Sequence, residues 1–388
     1  MALVVSTKAA MAVRRGHPWV YRDQLRGDLS RHQPGDAATL HDAEGAVLGR
    51  ALLEPGSPLV ARVWSRTSGK PLDTRFLLER LDQALSLRRA LDLGDTDAYR
   101  LVHGEGDRTP GIVLDRYADH AVLRLDGGAL EPHLEGLTRG LEERLARIGV
   151  RTLLRRRTEK NAAVKAEVLF GDLPKTPIGV REHGVPYEVD LVRGQKTGAF
   201  LDQRENRVRV GALARGRRVL NLFSYAGGFS LHAALGGAKK VTSVDVASGA
   251  HATAQASFKR AGVDPTAHAF VTADVWSFLD RAKERNERWD LVVCDPPNMA
   301  PSAATHARAL TSYRKLHAAC AAVLAEGGVL CAASCSSHVS LEDFLQTLTD
   351  DTLGRDDLRL TEIRGAAGDH PVLPGFPEGR YLEFCVLR

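Results

Sequence analysis

Several segments carry residue types that could do chemistry together. In Asn221-Leu222-Phe223-Ser224-Tyr225-Ala226-Gly227-Gly228-Phe229 an apolar run enters a glycine turn and leaves as a helical pattern. Glycines at such a place let backbone approach a ligand closely at a helix N-terminus. Asp245 ends the next apolar run, 17 residues past Gly228. An acid there in an open sheet accepts hydrogen bonds from ribose hydroxyls. Asp274, within Val271–Trp276, could accept from an adenine amino group. Each aspartate alone is more often a helix cap, and a lone glycine turn is a weak signal. At successive strand ends they describe an adenosine pocket, with Phe223, Ser224, Tyr225 and Gly227 forming its turn.

The fingerprint G-x-G-x-x-G that cradles a pyrophosphate is absent from this turn. S-adenosylmethionine has no pyrophosphate and needs no such cradle. A further run, Leu291–Cys294, delivers Asp295-Pro296-Pro297, and prolines stiffen a loop where a planar base and a methyl donor could meet. Amino-group methyltransferases usually place an aromatic next; Asn298 stands there, which disfavours an exocyclic amine as acceptor. The following run ends Cys331-Ala332-Ala333-Ser334-Cys335. Cys331 and Cys335 share a strand parity, but Cys331 lies inside the run and reads as a small core hydrophobe. Cys335 lies at the exit, ahead of a Ser340…Asp343 capping pattern, and helix N-termini favour the nucleophilic thiolate. Its two readings are nucleophile and core thiol.

These residues need a sheet to position them. After Tyr187, apolar strand cores at Arg218–Leu222, Lys240–Asp245, Asp290–Cys294 and Gly328–Ala333 alternate with helical segments at Phe229–Leu235, His251–Ala261, Val275–Asn286 and Thr305–Leu324. Such alternation predicts a parallel sheet covered on both faces. Before residue 70 the pattern differs: short strands such as Ala46–Leu53 and Leu59–Trp64, punctuated by Pro34-Gly35 and Pro55-Gly56, predict a small β-barrel followed by a linker at Ser65–Pro71. Between them lie a helical stripe (Leu77, Leu78, Leu81, Leu85), strands at Ile112–Leu114 and Ala121–Leu125, a helix through Leu134–Leu145, and strands at Thr152–Arg155 and Ala166–Phe170. Strand, strand, helix, strand, strand is a compact α+β module. The expected parts are 1–70, 71–185 and 186–388. A chain of 388 residues suits several domains.

Charge and cysteine usage bound the class. A formal charge of +5 permits a polyanionic partner, and a solvated basic surface explains it as well. Arg155-Arg156-Arg157 has the same two readings, phosphate contact or solvated strand end. No run spans a bilayer, and the N-terminus carries its charge behind a short apolar start, the reverse of a secretory signal. Five cysteines without a CxxC pair suggest neither a disulfide framework nor a zinc site, so the chain reads as cytoplasmic with free thiols and no metal.

With these residues in place, the chain resembles the bacterial large-subunit (23S) ribosomal RNA cytosine-5 methyltransferases that carry an N-terminal PUA domain. The resemblance runs nearly end to end. It rests on Arg15-Gly16-His17-Pro18-Trp19-Val20, Tyr99 to Glu105 with Pro110-Gly111, Gly194 to Arg204, Phe223 to Phe229, Asp295-Pro296-Pro297, Ser334-Cys335-Ser336, Asp369-His370-Pro371-Val372 and Glu378 to Leu382. It implies a PUA barrel that helps hold RNA, a central module and a Rossmann-like methyltransferase domain. It also implies that Phe200, Asp202 and Gln203 wall the cofactor pocket and that Cys335 is the nucleophile. Asn298-Met299 departs from the residues usual after the two prolines.

The favoured function is methylation of cytosine C5 in ribosomal RNA, with S-adenosylmethionine as cofactor, Cys335 attacking C6 and Asp295 beside the reacting edge. Related domains without the cysteine methylate a guanine ring nitrogen; uracil C5 is the other acceptor in this class. A nucleotide-dependent oxidoreductase using Asp245 and a non-catalytic RNA-binding protein are the readings from other classes. The expected partner is large-subunit ribosomal RNA, with no membrane; a homodimer is left open.

Overall fold

Before residue 66 the short alternating segments pair into one six-stranded sheet. In a computed structural model, which describes residues 2–67, 69–157 and 165–388, its strands are Ala2–Val5, Trp19–Tyr21, Leu25–Arg26, Ala37–His41, Val47–Leu53 and Leu59–Ser65. Leu3, Val20, Leu40, Leu53 and Val60 fill its interior. A helix at Thr7–Arg14 joins them, which strand alternation did not signal. Ser6 caps it by accepting from the Ala9 amide at 3.4 Å, and Ala9, Ala10 and Val13 form its buried stripe. The stretch expected as a linker begins with the last residue of this sheet, and its Ser68 lies outside the described residues.

Asp73 caps the helix Thr74–Arg89 through the Phe76 amide at 2.9 Å. Five strands, Ala98–His103, Ile112–Tyr117, His120–Leu125, Thr152–Arg157 and Lys165–Phe170, form the second sheet, and helix Leu134–Ala146 packs with it. Leu77, Leu81 and Leu85 meet Leu137, Leu141 and Leu145 in one core. The strand Ala98–His103 adds to the expected order; both of its faces are largely covered, so it lacks the period-two signal. Arg155 and Arg156 are buried, Arg155 against Glu131, and only Arg157 of that run is exposed. The run is therefore neither a solvated strand end nor a three-residue phosphate contact.

The third sheet has seven strands: Arg218–Leu222, Lys240–Asp245, Ala269–Thr272, Trp289–Cys294, Leu324–Ser334, Leu360–Arg364 and Glu383–Leu387. Counted in chain order, they stand across the sheet as three, two, one, four, five, seven, six. The first five run parallel, and Glu383–Leu387 is inserted antiparallel before the edge strand. Leu220, Val292 and Leu330 pack on one face and Val219, Leu291 and Val329 on the other. Covered faces explain the near-continuous apolar runs. The strand order reverses between the first and fourth strands, and the crevice outside their carboxyl ends is where such sheets bind ligands.

The chain falls into two compact units. One contains Met1–Ile178, Asp190–Ala199 and Gly368–Gly379, and the other Gly179–Val189, Phe200–Ala367 and Arg380–Arg388. The stretch Gly194–Arg204 is thus divided between them after Ala199. Among the described residues no helix is long and apolar enough to cross a membrane.

Candidate active site

The strand Arg218–Leu222 ends in a turn of unusual backbone. Phe223, Tyr225 and Gly227 have φ of 56°, 44° and 76°. Two of these are non-glycine residues in the left-handed region, a cost borne where the surrounding structure over-determines the loop and often found at functional sites. Gly227 is required twice over: a Cβ there would also meet the Ala254 side chain at 2.7 Å. A Cβ on Gly228 would meet Arg207 at 2.8 Å. The Ser224 amide donates to the Val244 carbonyl at 3.0 Å, and the buried Ser224 hydroxyl lies 3.4 Å from His251 Nε2.

Asp245 is half-buried at the end of the adjacent strand. Its carboxylate accepts from the Tyr225 amide at 2.8 Å and the Ala247 amide at 2.9 Å, so it fixes the glycine turn as well as facing the crevice edge. The next residue, Val246, is 68% exposed, an apolar surface at the same strand end that sequence reading passed over. Asp245 pairs with Thr272, which sets Asp274 just beyond on the third strand's exit. Asp274 is exposed and does cap a helix, accepting from the Ser277 amide at 3.0 Å through Oδ1.

Phe200, Asp202 and Gln203 stand at the start of the helix Arg204–Leu213. The Phe200 ring meets Tyr225 edge-on at 5.5 Å, joining that wall to the turn. Asp202 and Gln203 are buried; Asp202 accepts from the Tyr381 hydroxyl at 2.7 Å, and Gln203 from the Asn206 side-chain amide at 2.7 Å. These bonds brace the wall from within the protein. Behind it, Arg207 donates to both oxygens of the fully buried Glu182, at 2.8 and 2.5 Å, and to the Phe200 carbonyl at 2.8 Å. His232 Nε2 lies 3.1 Å from the same carboxylate. Neither Glu182 nor Arg207 had a sequence signal, because the pair is 25 residues apart and no local period links them.

The thiol side lies two strands further across the sheet. Cys294 pairs with Ala332 in parallel register, so Asp295-Pro296-Pro297 and Cys335 leave the sheet side by side. Cys335 is half-buried, with Sγ 3.8 Å from the Pro296 carbonyl oxygen. Ser336 donates to Asn298 Oδ1 at 2.9 Å, and the Ala300 amide donates to the same atom at 2.9 Å. Asn298 thus ties the two loops together, a task for an amide oxygen that an aromatic at this position could not do. Tyr313 donates to Ser334 at 2.9 Å and lies 3.3 Å from the Ser336 hydroxyl, bracketing the thiol. Burial pushes the Tyr313 hydroxyl up to about 12, so it stays a neutral donor. The helix expected to acidify Cys335 is only Leu341–Leu345, starting six residues later. A single turn at that separation carries little dipole.

The remaining cysteines behave as core residues. Cys294, Cys320, Cys331 and Cys385 are buried, and burial pushes the Cys331 and Cys385 thiols up to about 12. The structure therefore gathers Phe223, Ser224, Tyr225, Gly227, Asp245 and Asp274 along one stretch of the sheet's carboxyl edge, with Asp295 and Cys335 beside them. From Asp245 to Asp295 is two strand spacings, about 10 Å. A cavity of about 420 Å³ beside Arg218, Lys240 and Trp289 opens at the opposite, amino edge of the sheet and includes none of these groups.

Comparison with known proteins adds to this geometry. The model of the S-adenosylmethionine-dependent methyltransferase family matches residues 126–358, and that of the PUA-like domain matches residues 3–66. The ribosomal RNA large subunit methyltransferase of Deinococcus radiodurans is 39% identical over 100% of this chain and 97% of its own. The ribosomal RNA large subunit methyltransferase I of Erwinia tasmaniensis is 33% identical over 100% of this chain and 98% of its own. A solved structure described as a methyltransferase complexed with SAH superposes with a TM-score of 0.87 at 22% identity, covering 100% of this chain and 99% of that one. At that identity the likeness is one of fold.

Proposed function

Because this chain belongs to the S-adenosylmethionine-dependent methyltransferase family and carries a PUA-like domain at its N-terminus, we propose that it methylates C5 of a cytosine in large-subunit ribosomal RNA through a covalent adduct of Cys335. The observation that carries the finer reading is the placement of Cys335: half-buried, at the carboxyl edge, bracketed by Ser334 and Ser336 and joined to the Asp295-Pro296-Pro297 loop through Asn298.

The residues present suit the cofactor. Asp245 offers a carboxylate to a ribose diol, and the turn carries the Tyr225 ring where a pyrophosphate cradle would need open backbone. Asp295 adds negative charge toward a cationic sulfonium. Bound there, S-adenosylmethionine supplies an electrophilic methyl group. Phe200 and Tyr225 wall the site, while Asp202 and Gln203 hold the wall in place.

Cytosine C5 is a poor nucleophile. The Cys335 thiolate bonds to C6, breaking the C5=C6 double bond and making C5 an enamine carbon that takes the methyl group. A base then takes the C5 proton, the C–H electron pair re-forms the C5=C6 double bond, and the C6–S bond breaks as the thiolate leaves. A base inside folded RNA must be unstacked to reach the thiol. Methylation of uracil C5 or a guanine ring nitrogen is the other outcome, distinguished by the modified nucleoside. Mass spectrometry of digested large-subunit ribosomal RNA, from cells with and without the gene, is expected to show one 5-methylcytidine lost with the gene. A missing 5-methyluridine or methylguanosine would replace this reading.

Asp245→Ala is expected to weaken S-adenosylmethionine binding by about 2 kcal/mol, roughly 30-fold, the scale of charge-assisted hydrogen bonds. Asp245→Asn, which still accepts from the Tyr225 amide, should lose less. Calorimetry decides this: an unchanged dissociation constant in Asp245→Ala removes Asp245 from the pocket.

A further inference from the structure

The first unit contains a concave basic site that the methyl-transfer machinery does not use. A cavity of about 240 Å³ lies where the six-stranded sheet meets the helix Thr74–Arg89 and the turn after Ala98–His103. Its walls include His17, Trp64, Arg66, Arg80 and Arg108, and among the described residues no acidic side chain lines it. Trp64, 2% exposed, has an indole N–H with no acceptor among the described residues.

Arg80 and Arg108 face each other's charge across this space. Arg80 is anchored: it donates to Gln83 at 3.0 Å and to the Trp64 carbonyl at 3.4 Å, and it lies over the Phe76 ring at 5.1 Å. Burial first, and the like charge of Arg108 second, hold its guanidinium below the usual arginine range; only the weaker pull of Glu79 opposes this. Arg108 is exposed and forms no ion pair among the described residues. Its backbone is left-handed, φ 57°, ψ 33°, at the end of the Gly104–Asp107 turn. Glycine would hold that conformation without strain, so the arginine side chain is retained at a conformational cost. Two guanidiniums that repel one another, with no carboxylate between them, make a site that an anion would stabilise.

We infer that this cavity is a phosphate-binding site, and that its occupant is a backbone phosphodiester of the RNA substrate, held between Arg80 and Arg108 at the junction of the PUA-like sheet and the central module. The inference rests on the proposed action on RNA but not on the thiol chemistry. It assigns the central module a share in RNA binding, and it gives the PUA-like sheet a fixed register on the strand rather than a base to read.

Arg108→Gly separates the two explanations of this residue. It relieves the left-handed strain, so a merely structural Arg108 predicts an equal or higher melting temperature and unchanged RNA binding. The phosphate site predicts the same stability but three- to tenfold weaker binding of an unmodified transcribed fragment of large-subunit ribosomal RNA at 0.15 M salt. The plot of log K against log salt should flatten by about 0.7 for the lost single-strand contact. S-adenosylmethionine affinity should not change. In parallel, the Trp64 indole N–H resonance, assigned by its loss in Trp64→Phe, should move when that RNA is added. Unchanged affinity and slope in Arg108→Gly overturn the proposal. A Trp64 resonance that moves with inorganic phosphate but not with RNA would mark a free-anion site and overturn the RNA assignment. A wild-type protein that binds the fragment through Arg108 yet transfers no methyl group would fail the proposed activity and leave this site standing.

Discussion

Cys335→Ala is expected to abolish methyl transfer, by roughly 10⁴-fold or more, the scale of removing a covalent nucleophile, while S-adenosylmethionine and RNA still bind. The side chain is small and half-buried, so its loss should cost little stability. Cys331→Ala is the control. Cys331 is fully buried, its thiol is pushed up to about 12 by that burial, and it lies four residues back, roughly 13 Å along an extended chain. It cannot replace Cys335 and should be dispensable for turnover. RNA carrying 5-fluorocytosine should trap on the wild-type protein, because fluorine at C5 cannot leave as a proton does, and the band should vanish in Cys335→Ala. A Cys335→Ala protein that methylates at the normal rate would falsify the thiol mechanism and favour a ring-nitrogen acceptor. The Tyr313 clamp gives a graded companion: loosening it through Tyr313→Phe should lower turnover without removing the trapped adduct.

Glu182→Ala is expected to destabilise the second unit by roughly 3–5 kcal/mol, because it strands the buried Arg207 charge. Burial pushes the Glu182 carboxyl up, but the Arg207 guanidinium and His232 outweigh this and hold it well below the usual carboxylate range. A carboxyl depressed on folding stabilises the protein above its unfolded pKa, about 4.3, and that stabilisation is lost as pH falls below this value. The wild-type urea midpoint should therefore fall steeply in acid, and Glu182→Gln should show a lower midpoint at pH 7 with a shallower acid limb. Since Arg207 also holds the Phe200 carbonyl and packs under Gly228, cofactor affinity should fall with stability in Glu182→Ala. A loss under about 1 kcal/mol at pH 7 would mean that water reaches the guanidinium and the pair is not sealed.

Much of this architecture was legible in the sequence because its signals are local. Apolar runs marked Arg218–Leu222 and Lys240–Asp245 at their observed bounds, since a strand covered on both faces needs apolar residues throughout. The glycine turn was legible because only glycine relieves the crowding at 227. Ser340 was readable as a cap because a cap and its amide are three residues apart. The exit of Cys335 from its strand followed from the length of one apolar run. Patterns that break these local rules were missed: the strand Ala98–His103, whose apolar run is interrupted by Arg100 paired with Asp115, and the short helix Thr7–Arg14.

Tertiary structure decided what holds the site together. Glu182 with Arg207, Tyr313 with Ser334 and Ser336, Asn298 with Ser336, and Asp202 with Tyr381 each join residues from 21 to 179 positions apart. Asn298 looked like a missing aromatic and proved to be a tie between two loops. The basic run at 155–157 read as a phosphate contact or a solvated strand end and proved mostly buried, with Arg155 paired to Glu131 of the turn that precedes the helix Leu134–Ala146. Residue type and spacing determined which elements form and which side chains could react, since those depend on neighbours within a turn or a strand. Which of them are braced, buried or brought to one edge depended on pairing order across the sheet, and no local period in a sequence encodes that order.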